Sequence, residues 1–278
     1  MNFTSYTGFS ADLSARGAEA AVAHAAALGF SSVELFDAYT AAVPLPDRIP
    51  ADRMRAALDG HGLTVACYSI YAHLMKMEEA VLYDTFRKHI AYAAALGVPY
   101  LHHTLRPGPR TGEDPSYEAM LEAVLPRAVR IAEMAAEAGI VCLYEPQGYY
   151  FNGVEGLGRF YREVAARCPS VGICGDMGNS LFADCDPVAV FRAFGGEIRH
   201  AHIKDYRILN VEEPKAFRTA GGRYLADALP GEGDIDLAAC FAVLKENGYA
   251  GGVGFEFSAD DDTVRRMMTY IRRLTKEA

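Results

Sequence analysis

Four side chains able to bind a metal each stand where an apolar run ends: Glu145 in IVCLYEP, Asp176 in VGICGDMGN, His202 in IRHAHIKD and Glu256 in GGVGFEFS. A carboxylate or imidazole beside a segment built for burial is costly unless a partner neutralises it. Three carboxylates and one imidazole form an oxygen-rich set. It suits Mn2+, Mg2+ or Co2+, and Zn2+ also accepts these ligand types. Taken singly, each acid reads equally well as a surface residue at a strand exit. Taken together, they predict strand ends that converge on one cation.

Other polar groups cluster around the same run ends. His102 and His103 close the run YLHHT, and successive strand residues face opposite sides, so one of the two faces inward. The inward one is a candidate substrate or ligand contact; the other is expected under a helix. Gln147 and Asn152 lie among Tyr149, Tyr150 and Phe151, a mixture that suits sugar hydroxyls and C–H faces as well as an ordinary surface loop. Lys204 shares face parity with His202 and is expected to reach a substrate oxygen or to pair with Asp205. Glu34 is expected to orient a neighbour, a substrate or a structural hydrogen bond. His73 reads as an exposed loop residue, and the glycines at 231 and 233 read as a lid turn rather than a phosphate nest.

The elements that must position these groups show a repeated phrase. A helix end, a glycine and a short β-branched or aromatic run recur at 26–36, 59–69, 94–104, 136–146 and 245–257. Glycine accepts the left-handed conformation that ends a helix. The apolar runs lack clean alternation, as strands buried on both faces do. Strands are predicted at about 2–8, 32–36, 64–71, 100–104, 140–146, 171–176, 199–204 and 252–258. Helical patterns cover 15–28, 78–96, 117–138, 237–247 and 260–276. Eight strands alternating with helices predict a single (β/α)8 TIM barrel over residues 1–278, an α/β fold whose catalytic groups come from the C-terminal ends of the strands. One long irregular stretch, about 205–234, is expected to act as a lid.

The length of 278 residues fits one such barrel, for which roughly 250 is typical. Hydrophobic residues make up 51% and charged residues 23%, enough for a large core. The net charge of −9, with no basic cluster, predicts no nucleic-acid partner. Six cysteines without CxxC spacing predict a reduced interior rather than a disulfide framework. A polar N-terminus and the lack of any apolar run of roughly 18 residues predict a cytoplasmic protein with no membrane span.

The chain resembles the xylose-isomerase-like TIM-barrel superfamily of sugar isomerases and epimerases, with D-tagatose and D-allulose 3-epimerases and inosose dehydratases as relatives. The resemblance rests on GFSSVEL at 29–35, LYEP at 143–146, Asp176, HIKD at 202–205, PGEGDID at 230–236 and FE at 255–256. It implies that Glu145, Asp176, His202 and Glu256 hold one divalent ion, with Mn2+ placed first, and that Glu145 and Glu256 exchange protons with substrate. It further implies that Arg207 contacts a substrate hydroxyl, although its spacing is offset by one. Many epimerase relatives carry a histidine where this chain has Asn179, which leaves room for an oxidised sugar such as an inosose or a 3-keto-glycoside. Asn179 then joins Lys204 as an expected substrate contact. A family homo-oligomer is implied by analogy.

The chemistry follows. Moving a proton beside a carbonyl needs a base, an electrophile and an acid; two carboxylates and a divalent ion supply them. The expected activity is therefore a metal-dependent isomerase or epimerase of a sugar or keto-polyol, with a small carbohydrate as its partner. The alternatives are a lyase on the same scaffold (inosose-type dehydration or 3-keto-glycoside cleavage), an apurinic-site endonuclease, and a non-catalytic sugar binder.

Overall fold

A computed structural model describes the protein over residues 2–107 and 116–277. In chain order the strands are β1 (Asn2–Ser5), β2 (Ser32–Ala38), β3 (Thr64–Tyr71), β4 (Tyr100–His103), β5 (Val141–Tyr144), β6 (Val171–Asp176), β7 (Ile198–Ile203), β8 (Asp205–Leu209), β9 (Phe217–Arg218), β10 (Tyr224–Ala228) and β11 (Gly252–Phe255). The helices are α1 (Thr7–Arg16), α2 (Ala18–Leu28), α3 (Leu45–Arg48), α4 (Ala51–His61), α5 (Glu79–Leu96), α6 (Tyr117–Glu137), α7 (Gly158–Ala165), α8 (Pro187–Phe194), α9 (Leu237–Glu246) and α10 (Asp261–Glu277).

Strands β1 to β7 and β11 close into one parallel barrel in the order β1-β11-β7-β6-β5-β4-β3-β2. The glycine phrase works as its chemistry requires. Helix α2 ends at Gly29, whose φ of 92° is left-handed, and its N–H reaches back to the Ala25 and Ala26 carbonyls. The run that follows becomes β2. Helix starts carry side-chain caps: Glu78 accepts from Val81 N–H, Ser116 from Ala119 N–H and Asp236 from Ala239 N–H. The main core lies between the helices and the outer face of the barrel, where Phe86, Tyr144, Phe160 and Phe191 are fully buried. Each such side chain contributes about 1.5–3 kcal/mol of burial. Inside the barrel, a smaller layer of Cys67, Leu143 and Cys174 closes the floor beneath the polar mouth.

Three departures from the sequence reading have physical causes. The first strand stops at Ser5, because Phe9 and Leu13, four apart and both buried, form the inner stripe of α1. The expected helix from Ala15 is split at Gly17, whose φ of 80° and ψ of 176° lie outside the helical region. The stretch 205–234 is not irregular: β8, β10 and β9 form a small antiparallel sheet over the barrel mouth. The turn after it is tied to β8 by Asp205, whose carboxylate accepts the backbone N–H groups of Tyr206, Gly231, Gly233 and Ile235 at 2.8–3.2 Å. Those are the donors a phosphate would have needed. All six cysteines are free thiols. Among the described residues no helix is long and apolar enough to cross a membrane.

Candidate metal centre

The four residues from the run ends meet at the barrel mouth. Glu145 directly follows β5, Asp176 ends β6, His202 lies in β7 and Glu256 directly follows β11, and in the ring these strands are neighbours. A register shift between Ile173 and Cys174 sets Asp176 opposite His202. One donor atom from each residue lies within 4.8 Å of the others. The His202 Nδ1 is 2.9 Å from Glu145 Oε1, 3.2 Å from Glu256 Oε2 and 3.8 Å from Asp176 Oδ2. Asp176 Oδ2 and Glu256 Oε2 are buried without a hydrogen-bond partner. Two orphaned carboxylate oxygens beside one ring nitrogen have the donor chemistry of a hard or borderline cation site.

Behind this cluster lies a network of hydrogen bonds. Glu34, fully buried on β2, accepts from His200 Nε2 at 2.7 Å and from His202 Nε2 at 3.0 Å. Nε2–H is donated to Glu34, which fixes the ring with Nδ1 facing the carboxylates, the nitrogen that a bound ion would take as its ligand. A β-bulge between Val33 and Glu34 sets the register of this strand against β3. Gly254 makes room for the pair: a Cβ there would stand 2.9 Å from His202 Cδ2 and 3.0 Å from Glu34 Oε2. Ser69 Oγ donates its only proton to Glu34 at 2.6 Å, so it accepts from His102 Nδ1–H at 2.9 Å. Burial pushes the His102 pKa down, which keeps the ring neutral. Its Nε2 lone pair then faces Glu145 Oε2 at 3.5 Å with no hydrogen-bond partner of its own. Two acceptors side by side call for a hydroxyl or a proton between them.

Charge at the mouth is arranged by burial and by Lys204. Burial opposes the ammonium of Lys204, but the Asp176 and Glu256 carboxylates outweigh it and hold the group protonated. Its Nζ is 2.7 Å from Glu256 Oε1, 3.2 Å from Asp176 Oδ2 and 3.0 Å from Asn179 Oδ1. Lys204 therefore pairs with these groups and not with Asp205. Burial works to raise the Glu256 carboxyl, yet Lys204 and His202 hold it below the usual carboxylate range. For Asp176, burial wins and the pKa rises. Burial works to raise Glu34 as well, but His202 and His200 overcome it and the group stays ionised. Burial also opposes charge on His202, while Cys174 and Glu34 raise its pKa well above the ordinary value. The neighbouring Cys174 thiol is pushed up to about 12 by burial, so it remains neutral beside the oxygen ligands.

Above the cluster opens a cavity of about 550 Å3 lined by Tyr71, Gln147, Tyr149, Asn179, Phe182, Lys204, Tyr206, Phe217, Arg218 and Glu256, among others. Gln147 points its amide at Glu145 Oε2, 3.4 Å away. Asn179 fixes Asp176 through its backbone N–H and accepts from Lys204. Asn152 is an internal brace: its Nδ2 donates to the Gly148 and Asn179 carbonyls.

Of the histidine pair, His102 faces the centre. His103 packs its ring against Phe86 and Tyr144 on the helical side, with Nδ1 on the Thr104 carbonyl. His73 is buried rather than exposed. Arg207 lies outside the cavity lining, half exposed and paired with Glu213 at 3.1 Å. The preceding residue, Tyr206, faces the cavity instead, because neighbours on a strand point opposite ways. Sequence reading passed over His200, Ser69, Tyr206, Phe182 and Phe217. The parity argument applied to Lys204 would have found His200, two residues before His202. The others have partners only in three dimensions.

A family profile described as xylose isomerase-like TIM barrel matches residues 22–274. An inosose dehydratase of Clostridium tetani is 34% identical over 88 residues, which is 31% of this chain and only 30% of that relative's length. An inosose dehydratase of Geobacillus kaustophilus is 26% identical over 243 residues, 79% of this chain and 75% of the relative. Among solved structures, D-allulose 3-epimerase from Methylomonas sp. superposes with a TM-score of 0.75 at 22% identity, covering 99% of this chain and 98% of that one. The IolI protein with a bound zinc atom also gives 0.75, at 16% identity, covering 100% and 99%. At these identities the structural likeness speaks for the fold.

Proposed function

Because the chain belongs to the xylose isomerase-like TIM barrel family, we propose that its barrel mouth is the active site of a divalent-metal-dependent isomerase or epimerase acting on a sugar or keto-polyol. The observation that carries this reading is the approach of three carboxylates to one histidine nitrogen, with two carboxylate oxygens orphaned. Glu145, Asp176, His202 and Glu256 would hold the ion, Mn2+ first and Zn2+, Mg2+ or Co2+ as alternatives. Bound there, it would supply an electrophile for the negative charge that develops beside the carbonyl.

The chain's own residues handle the proton. Glu145 and Glu256 come from strands that flank β6 and β7, so they reach a substrate from different sides of the centre. One takes the proton from the carbon beside the carbonyl and the other returns one. Lys204 keeps Glu256 ionised and ready to accept. Gln147 Nε2–H donates to Glu145 Oε2, and His102 Nε2 beside the same oxygen is placed to accept a proton that Glu145 gains. The aromatic walls exclude water from the C–H faces of the ring. The acidic chain, without a membrane-crossing helix among its described residues, fits a cytoplasmic enzyme of small molecules.

A second reading is dehydration, in which a β-hydroxyl leaves after the same proton abstraction. The similarity to inosose dehydratase across 79% of the chain favours it. One experiment addresses both: ketoses and inososes are incubated in D2O with Mn2+ and followed by NMR. Deuterium uptake at the carbon beside the carbonyl is expected, and Glu145→Gln and Glu256→Gln are each expected to abolish it. Loss of water would mark the dehydratase. If no substrate exchanges or turns over, the proposal fails.

A further inference from the structure

Two cavities meet at the centre, and their walls differ in chemistry. The one of about 550 Å3 is walled by Tyr149, Phe182 and Phe217. A second, of about 490 Å3, mixes Thr7, Asp227 and Ser258 with Ala228, Leu229 and Phe257. Lys204, Tyr206, Phe217 and Glu256 line both, so these are two lobes of one cleft with the proton-handling carboxylate at their junction. The mixed lobe, with hydroxyl and carboxylate groups beside apolar ones, suits a hydroxyl-rich ring with C–H faces. The aromatic lobe is built from edge-on ring pairs, Phe182 with Phe217 at 5.8 Å and Phe182 with Tyr149 at 6.3 Å. Phe217 stays 47% exposed, which leaves apolar ring surface for a ligand to cover.

Size points the same way. Even at the ~30 Å3 that a whole water molecule claims in the liquid for each heavy atom, the twelve heavy atoms of a hexose need at most roughly 360 Å3. Either lobe alone exceeds that. We infer that the substrate is a two-ring molecule, a glycoside-like compound whose sugar or keto-sugar ring sits at the junction while a second ring with an apolar face stacks between Phe217 and Tyr149. Aryl aglycones and second sugars share that chemistry. The inference rests on the barrel mouth being a carbohydrate site, and it adds the part of the substrate that does not react. Such a remote group contributes binding that a free monosaccharide lacks.

The test measures binding alone, by titration calorimetry of the whole protein with glucose, phenyl β-D-glucoside and maltose as probes. Phenyl glucoside or maltose is expected to bind about tenfold more tightly than glucose, and whichever gains more identifies the second ring. Tyr149→Ala, which alters the aromatic lobe alone, is expected to erase that gain, and Phe217→Ala, whose ring lines both lobes, is expected to erase it while also lowering glucose affinity. Equal affinities, no binding by any probe, or a gain that survives both variants would overturn the inference. Failure here with deuterium exchange intact on free ketoses would spare the proposed chemistry. Exchange lost with the gain retained would do the reverse.

Discussion

Glu34 orders the candidate centre from behind, through His200 and His202. It receives His202 Nε2–H and so aims Nδ1 at the carboxylates. Glu34→Gln keeps the volume but removes the charge, and it is expected to weaken Mn2+ affinity about 10–100-fold, measured by calorimetric titration. Lys204 should act in the opposite sense. Its ammonium already neutralises Asp176 and Glu256, so Lys204→Met is expected to bind the ion at least as tightly while C–H exchange slows. A weaker ion affinity in that variant would show that Lys204 is a structural prop. The gathering of the four run-end residues was legible in the sequence because burial cost makes a carboxylate or imidazole in or after an apolar run conspicuous. Glu34 was read as orienting a neighbour, a substrate or a structural hydrogen bond, but which neighbour was not legible, since its partners stand 166 and 168 positions further along the chain. Arg207 shows the limit of spacing by resemblance, since a shift of one residue on a strand turns a side chain to the other face.

At the scale of elements, the barrel strands were readable and the small sheet of β8, β9 and β10 was not. Double-faced burial gives β3 and β6 uninterrupted apolar runs at the boundaries the sequence suggested. Strand β9 is only two residues long, and β8 passes from buried Asp205 and Tyr206 to an exposed and two half-buried residues, so neither carries a run to read. What ties the segment down is Asp205, through four backbone donors gathered from both of its ends. Asp205→Ala would leave those donors without their acceptor, at a cost of about 1–3 kcal/mol for each that stays buried. Faster hydrogen–deuterium exchange at Gly231, Gly233 and Ile235, with the barrel amides unchanged, is the expected outcome. Unchanged protection at these three amides would mean that the turn holds itself.

For the whole molecule, the outer helices are joined by a titrating clamp. His24 on α2 bonds Asp12 of α1 through Nδ1 and Asp261 of α10 through Nε2, while Arg16 faces the same Asp12 at 3.2 Å. The hydrogen bonds to Asp12 and Asp261 raise the His24 pKa above its ordinary value. An imidazole raised in the folded state stabilises fully below about pH 6.5 and loses that contribution as pH climbs through the folded value. The melting temperature of the native protein should therefore exceed that of His24→Gln at pH 6, with the gap closing by pH 9. A gap that widens with pH would contradict the assignment. The contact between Glu34 and His202 has a wider consequence. It spans β2 and β7, so only a closed ring brings the two residues together. Under the proposed function, a growing polypeptide would pass through the surrounding metal pool without capturing from it, and uptake would be the signature of a finished ring.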